Sequence, residues 1–321
     1  MQRGARCGPY RGQLARVQGE YALLSNGKRF AAIFAVALLT ACAAEPTAPV
    51  RKAAVPRTSA PVPSPVDSGR VRELRENLMT SLRLGLVERE QATLEELARL
   101  RASLGRLDLS KAKLRKIDLR GVLMRHAQFR GARLQQAVFM GADLGFSDFT
   151  HANLQGADFE AAELPGVKFG GARLISVDFS RATLTGAHFR TANATKADFS
   201  GARLEGAIFR SANLHAADFA DASLVGVDLR ETHAIFSRYE NADLQGSDFS
   251  GADLTAARFP NAEMKGVKLA GVVVTAADFS TARNLSSGTL AKTCYSGVPT
   301  RNPFTRGPPR VPVGVPVPPK C

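Results

Sequence analysis

Tryptophan is absent from this 321-residue chain and tyrosine occurs only four times, yet phenylalanine occurs 18 times. So lopsided an aromatic set argues against a mixed core and for one apolar position specified over and over. Histidine is sparse: His126, His151, His188, His215 and His233 are scattered, with no H-E-x-x-H spacing for a metal. There is no G-x-S-x-G elbow and no phosphate-binding loop. Catalysis therefore has no residues to rest on, and no cofactor or metal is expected. No apolar run reaches the roughly 20 residues that a membrane-crossing helix needs.

Acid is scarce in one respect only. The net charge of +14 comes from 43 Lys/Arg against 29 Asp/Glu, which invites a nucleic-acid reading. Its distribution argues against one. Residues 1–68 carry +6 and residues 284–321 carry +5, while residues 104–283 hold 22 basic against 20 acidic side chains. A basic protein signals nucleic acid only where the folded face itself is basic.

What is present begins with an address. Phe30–Leu39 (FAAIFAVALL) is apolar, follows Lys28 and Arg29, and runs into small residues, the make-up of a secretory signal. The junction Leu39-Thr40-Ala41-Cys42 resembles the lipobox of bacterial lipoproteins. That resemblance implies cleavage after residue 41 and a lipid on Cys42. Residues 1–41 are then the signal peptide, and a later start codon would remove the basic stretch ahead of it. By the sorting rule of Gram-negative lipoproteins, Ala43 would direct the protein to the outer membrane, facing the periplasm.

Residues 42–69 are rich in Pro, Ala, Val and Ser, a composition that cannot bury a core and reads as a tether. Residues 70–103 change period. Val71, Leu74, Leu78, Leu82 and Leu86 recur at helical spacing, with Asp67 or Ser68 as a cap, Glu73 and Glu76 near the start, and Gly85 as a break. Thr93-x-x-Glu96 has the form of a capping box opening a second short helix. The segment reads as an amphipathic cap over the first turn of a solenoid, or as a coiled-coil arm, although heptads are not sustained.

From Leu104 to Phe279 every residue whose number ends in 4 or 9 belongs to one series, almost all Leu or Phe. Leu134, Phe139, Leu144, Phe149, Leu154 and Phe159 show the alternation. Two places earlier stands a small or β-branched residue, and between them commonly Asp, Asn or Arg. Period 5 fits neither a helix nor a flat strand. A chain that bends once per unit and closes after four units would place every Leu/Phe and every small residue inside. The unit A-(D/N)-(L/F)-x-x resembles the pentapeptide-repeat family. The resemblance implies an all-β solenoid, a right-handed quadrilateral β-helix of about nine coils over residues 104–283.

Residues 20 apart then stack. One wall holds Phe139, Phe159, Phe179, Phe199, Phe219, Tyr239, Phe259 and Phe279; the opposite wall holds Phe129, Phe149, Phe169, Phe189, Phe209 and Phe249. Ala194 and Ala234 interrupt the large series. Around the second, Ile235 and Phe236 put apolar side chains at outer positions, either over a bulged coil or as an exposed contact for a partner. Arg190, Arg210 and Arg230 form an outer ladder, splayed into water or bridged by an anion. Asp158, Asp178, Asp198 and Asp218 form another, expected to serve turn amides. The first coils carry Lys111, Lys113, Arg115, Lys116, Arg120, Arg125, Arg130 and Arg133. They read as a solvated basic end or as a contact for anionic headgroups.

The Pro-rich tail, residues 284–321, contains Cys294 and Cys321, which an oxidising compartment would allow to pair as a clasp over the last coil. The functional expectation is a non-catalytic, membrane-anchored envelope scaffold or protein-interaction rod. Its partners would be a protein on the outer surface and the membrane through the lipid, with no nucleic acid; an oligomer is compatible. The alternative is a cytoplasmic or secreted binding protein of effector type. Some family members protect a topoisomerase by imitating DNA, but those rods are strongly acidic and this one is near neutral.

Overall fold

The computed structural model describes residues 68–83, 91–99, 106–291, 293–294 and 308–320. The signal segment, Cys42, the tether up to residue 67, Gly85 and Cys321 lie outside them; Ser68 and Gly69, read as the end of the tether, belong to the first helix.

Two helices precede the repeats, α1 (Ser68–Arg83) and α2 (Gln91–Arg99). Leu74 and Leu78 of α1 and Leu94, Leu97 and Ala98 of α2 are buried in the same cluster as Leu107 and Leu109 of the first coil. Their spacing of three and four places them on one helical stripe. Arg70 ties the helices together, 3.2 Å from Glu73 and 3.2 Å from Glu96. Two local expectations are corrected. Helix α2 begins at Gln91, so Thr93 lies inside its first turn and does not cap it. Helix α1 begins at Ser68 with no acid in its first turn, so Glu73 and Glu76 lie too far along to meet the dipole.

The repeats form a stack of coils in which each outward-facing middle residue bridges in parallel to the one 20 positions on. The series runs without a break from Asp108↔Gln128 to Glu263↔Arg283. With adjacent strands about 4.8 Å apart, nine coils make a rod of roughly 43 Å.

One unit shows why these residues bend the chain once every five positions. Asp178 N–H donates down to the Ala157 carbonyl at 3.0 Å, and Phe179 N–H donates up to the Asp198 carbonyl at 2.7 Å. Arg181 N–H reaches the Ser200 carbonyl at 2.8 Å, and Ala182 N–H closes a turn onto the Phe179 carbonyl at 3.0 Å. One amide is left, that of Ser180, and Asp178 Oδ1 accepts it at 2.8 Å. All five donors are satisfied, as a largely buried backbone requires. The Asp/Asn preference is therefore an amide acceptor built into the turns that carry it. The turn's third residue has positive φ, as in a type II turn. Glycine suits it, as at Gly171 (φ 62), but Arg181 (φ 59) and many other non-glycine residues also adopt it.

Inside, the two phenylalanine columns meet along the axis. Within a column the rings stack at 4.4 to 5.2 Å, as for Phe189–Phe209 and Phe149–Phe169. Between columns they meet edge to face, as for Phe199 with Phe209 at 5.6 Å and 88°. Both geometries suit the ring quadrupole.

The coil containing Ala234 is not bulged: His233 bridges Asn213 below and Asp253 above, in register. Its interior is remodelled instead. Thr232, Ser237 and Ser247 replace alanine at inner positions, and their hydroxyls donate to the carbonyls of Leu229, Ala234 and Leu244. Tyr239 joins the aromatic column, 5.2 Å from Phe219 and 4.7 Å from Phe259.

Both ends are closed. At the first coil, Asp118 N–H has no coil below it and donates to Glu95 Oε1 of α2 at 3.3 Å. At the last coil, helix α3 (Ser287–Leu290) buries Leu290, and the tail supplies two further rungs, Val273↔Cys294 and Asp278↔Arg310. Covering these edges removes a template for strand addition.

Candidate interaction surface

Four walls result, named here in chain order by their inward residues at Leu144, Phe149, Leu154 and Phe159. Among the described residues no group of three or more His, Cys, Asp or Glu is arranged to hold a metal. No described helix is long and apolar enough to cross a membrane. A hollow of about 340 Å³ lies beside α3, lined by Ser250, Lys268, Leu269, Ser286 and Thr289 among others. Its polar groups are already engaged: Lys268 with Asp248 at 3.7 Å, and Ser286 Oγ with Thr289 N–H at 3.2 Å.

The aspartate ladder serves the backbone. Asp158, Asp178, Asp198 and Asp218 each accept the N–H two residues on, at 2.8 to 3.0 Å. Asp218 also pairs with Arg238 at 2.9 Å. Stacking has an electrostatic consequence: burial, and then the Asp178 charge, hold the Asp158 carboxyl above its ordinary range.

The arginine ladder, at the corner between the second and third walls, neither splays nor requires an anion throughout. Arg230 is bidentate to Asp228, at 2.8 and 2.6 Å. Arg210 reaches Glu231 of the coil above at 2.8 Å. The guanidinium hydrogen bond lowers the Asp228 carboxyl, and Arg210 followed by Ser211 does the same for Glu231. Arg190 is exposed, and no described carboxylate pairs with it. The ladder is thus partly neutralised from within, by acids that sequence spacing did not single out.

Ile235 and Phe236 lie half-buried at the corner between the third and fourth walls. The Phe236 ring meets the His215 ring edge-on at 5.6 Å, so much of its apolar surface is covered locally. Cys294 is disulfide-bonded, to a cysteine outside the described residues. Several basic residues of the first coils are paired: Arg120 with Asp118, Arg125 with Asp143, and Arg130 with the buried Asp148 at 2.7 Å.

One cluster was not singled out from sequence. Leu123, Met140 and Phe146 are 40%, 37% and 49% exposed, on the first wall and its two corners. Phe146 occupies the left-handed turn position (φ 59) that is glycine in each of the next six coils, from Gly166 to Gly266. Its ring stacks on His126 at 5.3 Å, and the Arg125 guanidinium lies 5.5 Å from the ring centre. The usable signal was an aromatic in a column of glycines.

The family model for pentapeptide repeats matches eight copies over overlapping segments that together span residues 102–283, more than half of the chain. Among solved structures, HetL of the cyanobacterium Nostoc sp. strain PCC 7120, a pentapeptide-repeat protein involved in heterocyst differentiation regulation, is similar. It is 26% identical over 56% of this chain and 78% of its own, with a TM-score of 0.38. A trypsin-treated form of QnrB1, a plasmid-mediated fluoroquinolone resistance protein, is 17% identical over 60% of this chain and 90% of its own, with a TM-score of 0.41. A pentapeptide-repeat protein of the Arabidopsis thaliana thylakoid lumen is 30% identical over 41% and 82%, with a TM-score of 0.20. No curated protein matches significantly. With the repeat register, the stacked coils and the family match in agreement, the chain belongs to the pentapeptide-repeat family and folds as its right-handed quadrilateral β-helix.

Proposed function

We propose that this protein is a non-catalytic interaction rod of the bacterial cell envelope, held at a membrane by a lipid on Cys42 and facing the periplasm. The observation that carries the reading is the Leu39-Thr40-Ala41-Cys42 junction, which closes an apolar signal-like stretch directly ahead of a Pro-rich tether. The rod supports it from the other side. Its conspicuous charged ladders are engaged mainly by its own turns and neighbouring coils, which leaves a convex surface suited to contact rather than chemistry. The disulfide at Cys294 fits an oxidising compartment, and Cys321 is the partner we assign to it.

The test is intact-mass and fractionation analysis of the expressed protein beside a Cys42→Ala variant. A membrane-bound wild type whose lipidated mass begins at Cys42, with a variant that loses both properties, supports the anchor. Soluble, full-length protein in both cases overturns it and makes a cytoplasmic or secreted binding protein the better account.

A further inference from the structure

The coils are electrically uneven along the stack, apart from the basic tail of residues 284–321 at the far end. Residues 106–146 carry nine Lys/Arg against three Asp/Glu, whereas residues 147–283 carry 13 against 17. Stacking turns this uneven sequence into a basic end of net +6 beneath an acidic body of net −4. Of the four exposed large apolar residues on the coils, three lie in the basic part: Leu123, Met140 and Phe146.

These residues depart from what their positions require elsewhere. Leu123 is an outward middle residue, where the coils above place Asp143, Glu163, Thr183 and Arg203. Phe146 holds a bulky ring at a left-handed turn position that many non-glycine residues of this fold share but that is glycine in each of the six coils above it. Its ring is braced: His126 stacks beneath, and a Cβ on Gly166 above would come within 2.7 Å of it. The result is a fixed aromatic plate about half exposed, flanked by the Arg125 guanidinium. Apolar side chains beside an arginine, on coils of net +6, have what an interfacial lipid contact needs: the basic coils meet anionic headgroups while an aromatic and aliphatic tip enters the acyl boundary.

We propose that the first wall of the first two coils, centred on Leu123, Met140 and Phe146, docks onto an anionic lipid surface. Charge complementarity selects that occupant, and so does the chain itself. The sequence upstream of α1, with its apolar run at residues 30–39, joins the rod at this basic end through α1 and α2. The inference rests on the membrane reading above, because a tethered rod meets the headgroups often enough for a weak patch to orient it. Lipid and patch would then act as two anchoring signals, with the acidic body directed away from the surface.

The absence of tryptophan makes the test direct. Phe146→Trp puts the only indole of the full chain in the patch, and Phe236→Trp puts it on a corner outside the patch as a control. Each is mixed with phosphatidylcholine vesicles, with and without phosphatidylglycerol, that carry brominated acyl chains. Co-sedimentation is measured alongside fluorescence. We expect a blue-shifted, quenched indole at position 146 on phosphatidylglycerol vesicles only, and an unquenched one at 236. Leu123→Ser should weaken sedimentation about tenfold in the same background while leaving thermal unfolding unchanged. A chain that sediments with equal quenching at both positions, or none at 146, overturns the patch and leaves the Cys42 anchor standing. A chain that does not sediment overturns the docking, as does protection of the position-146 indole by double-stranded DNA in place of vesicles.

Discussion

The inside and the outside of this rod are written by the same five-residue units under opposite constraints. Inside, Phe159, Phe179 and Phe199 repeat the same contact at 5.1 Å, and a change at one level strains the levels above and below. Outside, the column that runs through Asp148, Lys168, His188, Ile208 and Asp228 changes charge, size and polarity from coil to coil while its bridges stay in register. The backbone ladder does not read the outward side chain, so wherever that side chain is not the acceptor of a turn amide it is free to serve a partner. The inward one is not. Fold and function are therefore separated by residue parity within each unit rather than by region of the chain.

Substitutions on either side of this division should differ in kind. The largest effect is expected inside. Phe179→Ala removes two stacked and two edge-on neighbours and should lower the unfolding free energy by about 3–5 kcal/mol, measured by chemical denaturation.

Asp198 tests whether an outward residue matters only through its acceptor. Asp198→Ala orphans the Ser200 amide and should cost about 1–2 kcal/mol, whereas Asp198→Asn keeps an oxygen in place and should cost little. Equal losses in the two variants would mean that charge, not the acceptor, is what the position supplies. Tyr239 marks the one level where the inner aromatic column carries a polar atom. Its hydroxyl is buried without a well-formed hydrogen bond, near a Ser237 hydroxyl that gives its own proton to the Ala234 carbonyl. Removing the hydroxyl in Tyr239→Phe should stabilise the protein by about 1 kcal/mol, seen as a higher melting temperature.

The smallest effect is electrostatic. Asp158 is held above the ordinary carboxylate range, so its charge opposes folding at neutral pH and the opposition fades as the pH falls through its folded range. Asp158→Asn should therefore gain on the order of 0.5 kcal/mol near neutrality and nothing near about pH 3. Asp228 has the reverse sign. Its lowered carboxyl contributes stability above the unfolded range, and that contribution is lost on acidification.

Much of this was legible in the sequence because a closed coil repeats one constraint. Every large inner residue, both aromatic columns and the amide-accepting aspartates follow from the period alone. Contacts that leave the period were not legible. Cys294 bridges Val273, twenty-one positions back, and Arg310 bridges Asp278, thirty-two back, because the five-residue phase ends at Arg283, ahead of helix α3. The Arg210–Glu231 pair joins a corner to the next residue type one coil up, a diagonal that column reading misses. The bulge expected at Ala234 did not form, because inner hydroxyls bonded to carbonyls and Tyr239 keep the coil in register. Phe146 was passed over because an outward aromatic looks like any other variable position until the glycines stacked above it are seen.

The division between inner and outer positions is tested most directly by the unfolding free energy of a chain in which Lys168, His188 and Ile208, three successive outward residues of the second wall, are all replaced by Asn. The account predicts a change within about 1 kcal/mol, because Asn can accept the turn amide as its neighbours do, beside the loss of about 3–5 kcal/mol for Phe189→Ala alone. A triple variant as damaged as that single inner one would contradict it, and would mean that the outer surface helps to hold the fold together.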